Sequence, residues 1–171
     1  MYIVKKGSQD DSASIDYDID EFENYVAFAK EQEGFEPTVY EDSAGVRTIG
    51  YGHTGEMVDK MLYSGDESFL GITEEAGEQL LRKDLSNTFD VLRQKMANDG
   101  NLEKFDALDP NAKMMLLDYE YNLSSGVRGF PKMLNAVLNN DWEAVSKRNK
   151  VTGRAEYERF YRAFFGLTDK T

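Results

Sequence analysis

E-G-F-E-P-T-V-Y-E-D-S-A-G-V-R-T-I-G-Y-G-H-T, residues 33–54, is the stretch on which the reading of this chain turns. It begins where a helical pattern closes: Phe22, Tyr25, Val26 and Ala29 recur at helical spacing, Asp18 or Asp20 can cap the start, and Gly34 supplies a stop. It continues into two short segments with strand character, Val39-Tyr40 and residues 46–49, joined by a turn over 41–45 where Asp, Ser and Gly favour tight backbone geometry. The spacing therefore predicts a helix running into an antiparallel hairpin.

The acids of this stretch fall in different settings. Glu33 lies in the last helical turn, where the negative end of the helix dipole and partial burial would both favour the protonated carboxyl. Asp42 lies on a polar turn, a place where a carboxylate stays ionised, and Thr48 is expected across the hairpin from it, with a hydroxyl able to hold a water. One carboxyl kept protonated and one kept ionised is the pair that cleavage of a glycosidic bond requires. Glu33 and Asp42 are the candidate catalytic carboxyls, with Thr48 beside them.

Residues 50–55, G-Y-G-H-T-G, match a dinucleotide-binding fingerprint by letter, but no βαβ unit follows and no helix is expected to open at Gly55. The glycines are read instead as tight turning beside a cleft. His53 is the sole histidine, which excludes a multi-histidine metal site, and it is expected to be a structural histidine bonded to an acid. The spacing of Asp16, Asp18 and Asp20 resembles the start of a calcium loop, yet Glu21 and Ala27 stand where that loop needs Gly and a bidentate Glu. No metal site is expected.

Composition narrows the rest. A chain of 171 residues suffices for one domain or two small lobes, and without cysteine it has neither disulfides nor thiolate metal ligands. No signal-peptide pattern and no apolar run of membrane-spanning length is visible. The formal net charge of −12 argues against non-specific binding to nucleic acid, although residues 142–171 are locally basic. Residues 1–18, polar and rich in Asp and Ser, are read as a mobile acidic extension.

Downstream, a loop is expected over 57–71, then a long helix capped by Thr73 and carried by Leu81, Leu85, Phe89, Leu92 and Met96 to about Asn98, closed by Asp99-Gly100. Asp109-Pro110 is a cap and first-turn pair for a helix that is apolar on most faces, from Met114 to Leu123. Phe130-Pro131 opens another helix, Asp141 caps one around Trp142, and Thr152 caps a last one. The fold class is α+β and mainly helical. A single catalytic domain is expected over 19–171, with an N-terminal lobe at 19–72, a connecting helix at 73–98 and a helical C-terminal lobe at 99–171.

These residues together resemble the phage-type muramidases, the T4-lysozyme-like endolysins of glycoside hydrolase family 24. The resemblance rests on E-G with Tyr40, Asp42, Gly45 and T-I-G-Y-G-H-T. Later segments follow in order: Phe105-Asp106-Ala107-Leu108, Tyr121-Asn122, residues 126–130, Asp141-Trp142-Glu143-Ala144 and Gly153-Arg154-Ala155. It implies a two-lobed lysozyme-like fold with a small antiparallel sheet in the first lobe and a saccharide cleft between lobes. It implies, too, that Glu33 is the acid, that Asp42 acts on the opposite face of the sugar, that Thr48 helps place the water, and that the anomeric carbon inverts. By the same matching, Thr54, Tyr121, Asn122 and Met133 would line the cleft, and Arg154 would approach Glu33. Two departures are a shorter segment between Trp142 and Arg154 and a serine, Ser124, where a glycine is common.

The activity implied is hydrolysis of the β-1,4 bond between N-acetylmuramic acid and N-acetylglucosamine in peptidoglycan. The glycan strand is the partner, there is no cofactor, no nucleic acid and no membrane insertion, and the chain is a monomer made in the host cytoplasm to act on the wall. Two other readings stand beside it: a lytic transglycosylase, and a virion or baseplate protein in which the extension docks on a virion or inhibitor partner.

Overall fold

The computed structural model describes residues 19–59 and 71–145. The first helix, α1, covers Ile19–Glu33 and ends as its sequence pattern predicts. Gly34 takes a left-handed φ of 71° and donates its N–H to the Lys30 carbonyl, 3.1 Å away. The chain then forms the antiparallel hairpin of β1 (Glu36–Glu41) and β2 (Arg47–Gly50). Tyr40 pairs with Thr48 and Glu41 with Arg47, while a register shift between Glu36 and Tyr40 brings Glu36 opposite Gly50. Pro37, which has no N–H to offer a ladder, lies within that irregular stretch. Its carbonyl accepts instead from Ile72 N–H at 2.8 Å.

Three expectations are corrected here. Thr48 does not stand across from Asp42, because Asp42 donates its N–H to Val46 O (3.0 Å) and the Thr48 partner is Tyr40. The turn over 42–46 is tighter than the spacing suggested. The first strand begins at Glu36 rather than Val39, since the bulge lets the chain keep pairing past Pro37. A one-turn helix, α2 (Glu56–Asp59), opens directly after Gly55, where a loop was expected. Val58 explains it: burying that side chain against Val39, Ile49 and Ile72 draws the backbone into a turn. The dinucleotide reading stays excluded, as the only sheet among the described residues has two antiparallel strands.

The long helix is α3, Glu74–Asn98, 25 residues. Thr73 caps it as expected, its hydroxyl accepting from Ala76 N–H at 3.1 Å, and Gly100 follows its end at φ 75°. Every residue of its apolar stripe, Leu81, Leu85, Phe89, Leu92 and Met96, is buried. A short helix, α4 (Leu102–Asp106), turns Phe105 against Phe89 with ring centroids 5.8 Å apart. Asp109 then caps α5 (Pro110–Asn122), accepting from Asn111 N–H at 2.9 Å. Residues 111–119 of α5 are all buried, as a helix apolar on most faces must be. A 3-10 turn, Val127–Gly129, leads into α6 (Pro131–Leu138), and residues 142–145 form a helical turn whose N–H of Ala144 bonds Asp141 Oδ1 at 3.2 Å. The helix expected after Thr152 lies outside the described residues.

The described residues divide into two units. One takes in 26–59 and 71–85: the end of α1, the hairpin, α2 and the start of α3. The other takes in 19–25 and 86–145, with α5 at its core.

Within the second unit one glycine is held by sterics. Gly126 has φ 59° and ψ −158°, backbone that a side chain rarely adopts, and a β-carbon there would sit 2.8 Å from Glu120 Cδ. The Glu120 carboxylate already accepts from Val127 N–H at 2.9 Å and pairs with Lys95. Gly126→Ala is therefore expected to cost roughly 3 kcal/mol in denaturant unfolding. Gly100→Ala, with a similar φ sign and nothing within 4 Å, is expected to cost only about 1 to 2 kcal/mol.

Candidate active site

Glu33 is the last residue of α1, half-buried, and the chain at Gly52 comes back against it. The approach is close: a β-carbon on Gly52 would stand 3.3 Å from Glu33 Oε2. Gly52 is left-handed at φ 82°, and the return of the chain is pinned by paired backbone bonds between Ile49 and His53, both 2.9 Å. Glycine is needed at 52 for its conformation and for its lack of a side chain.

Asp42 builds the turn on which it sits. Its Oδ1 accepts from Ala44 N–H (2.8 Å) and Val46 N–H (2.9 Å), and its own carbonyl accepts from Gly45 N–H (2.9 Å). The carboxylate is thereby fixed in direction while the residue stays exposed. Thr48 is buried, and its hydroxyl donates to Val46 O at 2.9 Å, so its oxygen faces any further partner as an acceptor.

Tyr40 and Thr48 are cross-strand partners and so share one face of the hairpin, with Asp42 in the turn beyond them. The Tyr40 phenol is pushed above its ordinary value, first by burial and then by the negative charges of Glu33, Glu36 and Asp42. No role was assigned to Tyr40 from the sequence. Its position two residues before Asp42 on an alternating strand is the signal that would have supplied one.

The return of the chain is braced from α3. His53 Nδ1 lies 2.7 Å from Asp84 Oδ2, the acid-bonded histidine that the sequence suggested. Tyr51 donates to Glu74 at 2.7 Å, and its phenol is pushed up to about 12 by burial and by that acid. Lys30, one turn before Glu33, bonds Glu78 at 2.8 Å and holds its ammonium 5.6 Å from the centroid of the Tyr51 ring. Nothing in the sequence pattern disclosed this last bracket, because its partners are 48 residues apart.

Thr54 follows the return and is exposed. In the second unit, Tyr121 and Asn122 are half-buried at the end of α5, whereas Met133 on α6 is 7 % exposed and offers little surface. Arg154 lies outside the described residues. No group of three or more His, Asp or Glu able to hold a metal occurs among the described residues. None of the described helices is long and apolar enough to cross a membrane.

A mainly helical chain with one small hairpin and an acid at the end of its first helix, followed by a turn-held Asp and a buried Thr, has the make-up of a lysozyme. Comparison of sequences agrees: the phage lysozyme family matches residues 30–150, and the chain belongs to that family. It is 34 % identical over 85 residues to the endolysin of Salmonella phage P22, a match that covers 50 % of this chain and 56 % of that protein.

Two measurements check the local physics. The Lys30 bond and charge, with Arg82 adding to them against the opposing effect of burial, hold the Glu78 carboxyl below its ordinary value of 4.5. A lowered folded value means that the unfolded chain takes up the proton first, so the contribution of Glu78 is present above pH 4.5 and fades as pH falls through the folded value. The Tm of Glu78→Gln should lie below wild type at pH 7, with the gap closing as the solution is acidified. Gly52→Ala is expected to lose about 1 to 2 kcal/mol from its φ alone, like Gly100→Ala. It should also lose activity that Gly100→Ala keeps, since the added carbon meets Glu33.

Proposed function

We propose that this protein hydrolyses the β-1,4 bond between N-acetylmuramic acid and N-acetylglucosamine in peptidoglycan, with inversion, and that it serves a phage in opening the bacterial wall. Glu33 donates a proton to the leaving oxygen. Asp42 takes a proton from the attacking water, using the carboxylate oxygen that its turn leaves over, and Thr48 accepts a hydrogen bond from the same water. The observation that supports this reading is geometric: Glu33 at the end of α1 lies against Gly52, and Asp42 is held by its own turn on the hairpin that carries the buried Thr48. Membership of the phage lysozyme family and the similarity to a phage endolysin support it.

Thr54, Tyr121, Asn122 and Met133 are proposed to contact the glycan, and Arg154 to approach Glu33, as the resemblance to the phage-type muramidases implies. No cofactor is required, because both proton transfers are served by side chains of the chain itself.

The test is clearance of purified peptidoglycan. Folded Glu33→Gln should lose at least about a hundredfold in rate, the scale of a general acid removed. Thr48→Ser should stay near wild type, while Thr48→Val should fall about tenfold or more, as its oxygen is gone. Products ending in reducing N-acetylmuramic acid fit hydrolysis. Anhydro ends would sink it in favour of a transglycosylase.

A further inference from the structure

Asp118 is a fully buried acid in the middle of α5, and the chemistry assigned to Glu33, Asp42 and Thr48 makes no use of it. The Tyr25 hydroxyl of α1 donates to its Oδ1. The same oxygen accepts from Asn122 Nδ2 at 2.9 Å, and Nδ2 also donates to the Asp118 main-chain carbonyl at 2.9 Å. Both hydrogens of the Asn122 carboxamide are thereby directed at one residue of its own helix.

This arrangement allows only one orientation of the amide. Turned over, the Asn122 oxygen would face a carboxylate oxygen and a carbonyl oxygen, two acceptors with no hydrogen between them and it. The buried carboxylate in turn needs donors, since burial of an unpaired charge is costly, and Tyr25 and Asn122 both supply them. What Asn122 has left for a ligand is Oδ1, an acceptor. A ligand that meets it must bring a donor: an acetamido N–H or a sugar hydroxyl.

We propose that Asp118, steadied by Tyr25, is a positioning residue that fixes Asn122 as an acceptor-only contact for a donor group of the glycan. The inference rests on the proposed function for the identity of the ligand. The fixing of the amide itself does not depend on that reading.

A double-mutant cycle on the full chain tests it, using purified peptidoglycan as substrate. Asn122→Ala should raise KM about three- to tenfold, the scale of one hydrogen bond, with kcat held. Asp118→Asn, which can turn either face to residue 122, should raise KM by a similar factor. Combined with Asn122→Ala, it should add nothing further, because its effect runs through the missing amide. A merely structural Asp118 would lower stability and multiply the two effects, and that outcome overturns the proposal. So does unchanged KM in Asn122→Ala while wild type is active. A wild type that cuts no peptidoglycan overturns the proposed function and with it the glycan as ligand, whereas the fixing of the amide is decided by the exchange measurement below.

A second measurement needs only folded wild type, should Asp118→Asn not fold. The Asn122 side-chain amide hydrogens should exchange with solvent at least about tenfold more slowly than those of exposed Asn139, as expected for hydrogens held in internal bonds. Exchange as fast as at Asn139 overturns the fixing of the amide.

Discussion

The contact between the Gly52 backbone and the Glu33 carboxyl is the constraint around which the first unit is built. For the chain to pass that close it must turn left-handed without a side chain at 52, and it must be held once it has turned. The holding comes from three directions: His53 to Asp84, Tyr51 to Glu74, and Lys30 to Glu78. Each ties the return of the chain or the end of α1 to α3. Each is partly buried, so solvent screens it less than an exposed pair, and together they restrict the motion of the acid more than any of them would alone. The acid at the end of α1 is framed by neighbours that also interact with one another.

Much of this was legible in the sequence. Periodicity located α1, α3 and α5, and their ends followed from local chemistry at Gly34, Thr73 and Asp109. The hairpin was visible in its turn residues, but its register was not. Pairing depends on how many residues the turn absorbs, and the Asp42 side chain shortens that turn by bonding two N–H groups at once. The bulge at Pro37 and the helical turn at Val58 escaped for a different reason. Both are set by burial against residues far along the chain, which no local pattern records.

The site shows the same division. Glu33, Asp42 and Thr48 stand out as candidates because their spacing is short and their residue types are chemically telling. The groups bonded around Asn122 do not. Asp118 reads in sequence as one acid in a helix, and Tyr25 as one member of an apolar stripe. Only the fold brings phenol, carboxylate and amide to one point. The net charge of −12 is equally silent about local order, because the described acids that matter most are paired or built into turns.

Asp42 carries two requirements in one side chain. Its Oδ1 closes the hairpin turn, a duty that the amide oxygen of asparagine can perform equally well, whereas accepting a proton needs the carboxylate. The folding and the chemistry of this loop are therefore separable by a single nucleotide change, from an Asp codon to an Asn codon. A lineage under selection only for carrying the fold can cross that step without paying in stability. A chain that keeps the hairpin and lacks the proposed proton acceptor is one mutation from this one, and the loop alone would give no sign that the step had been taken.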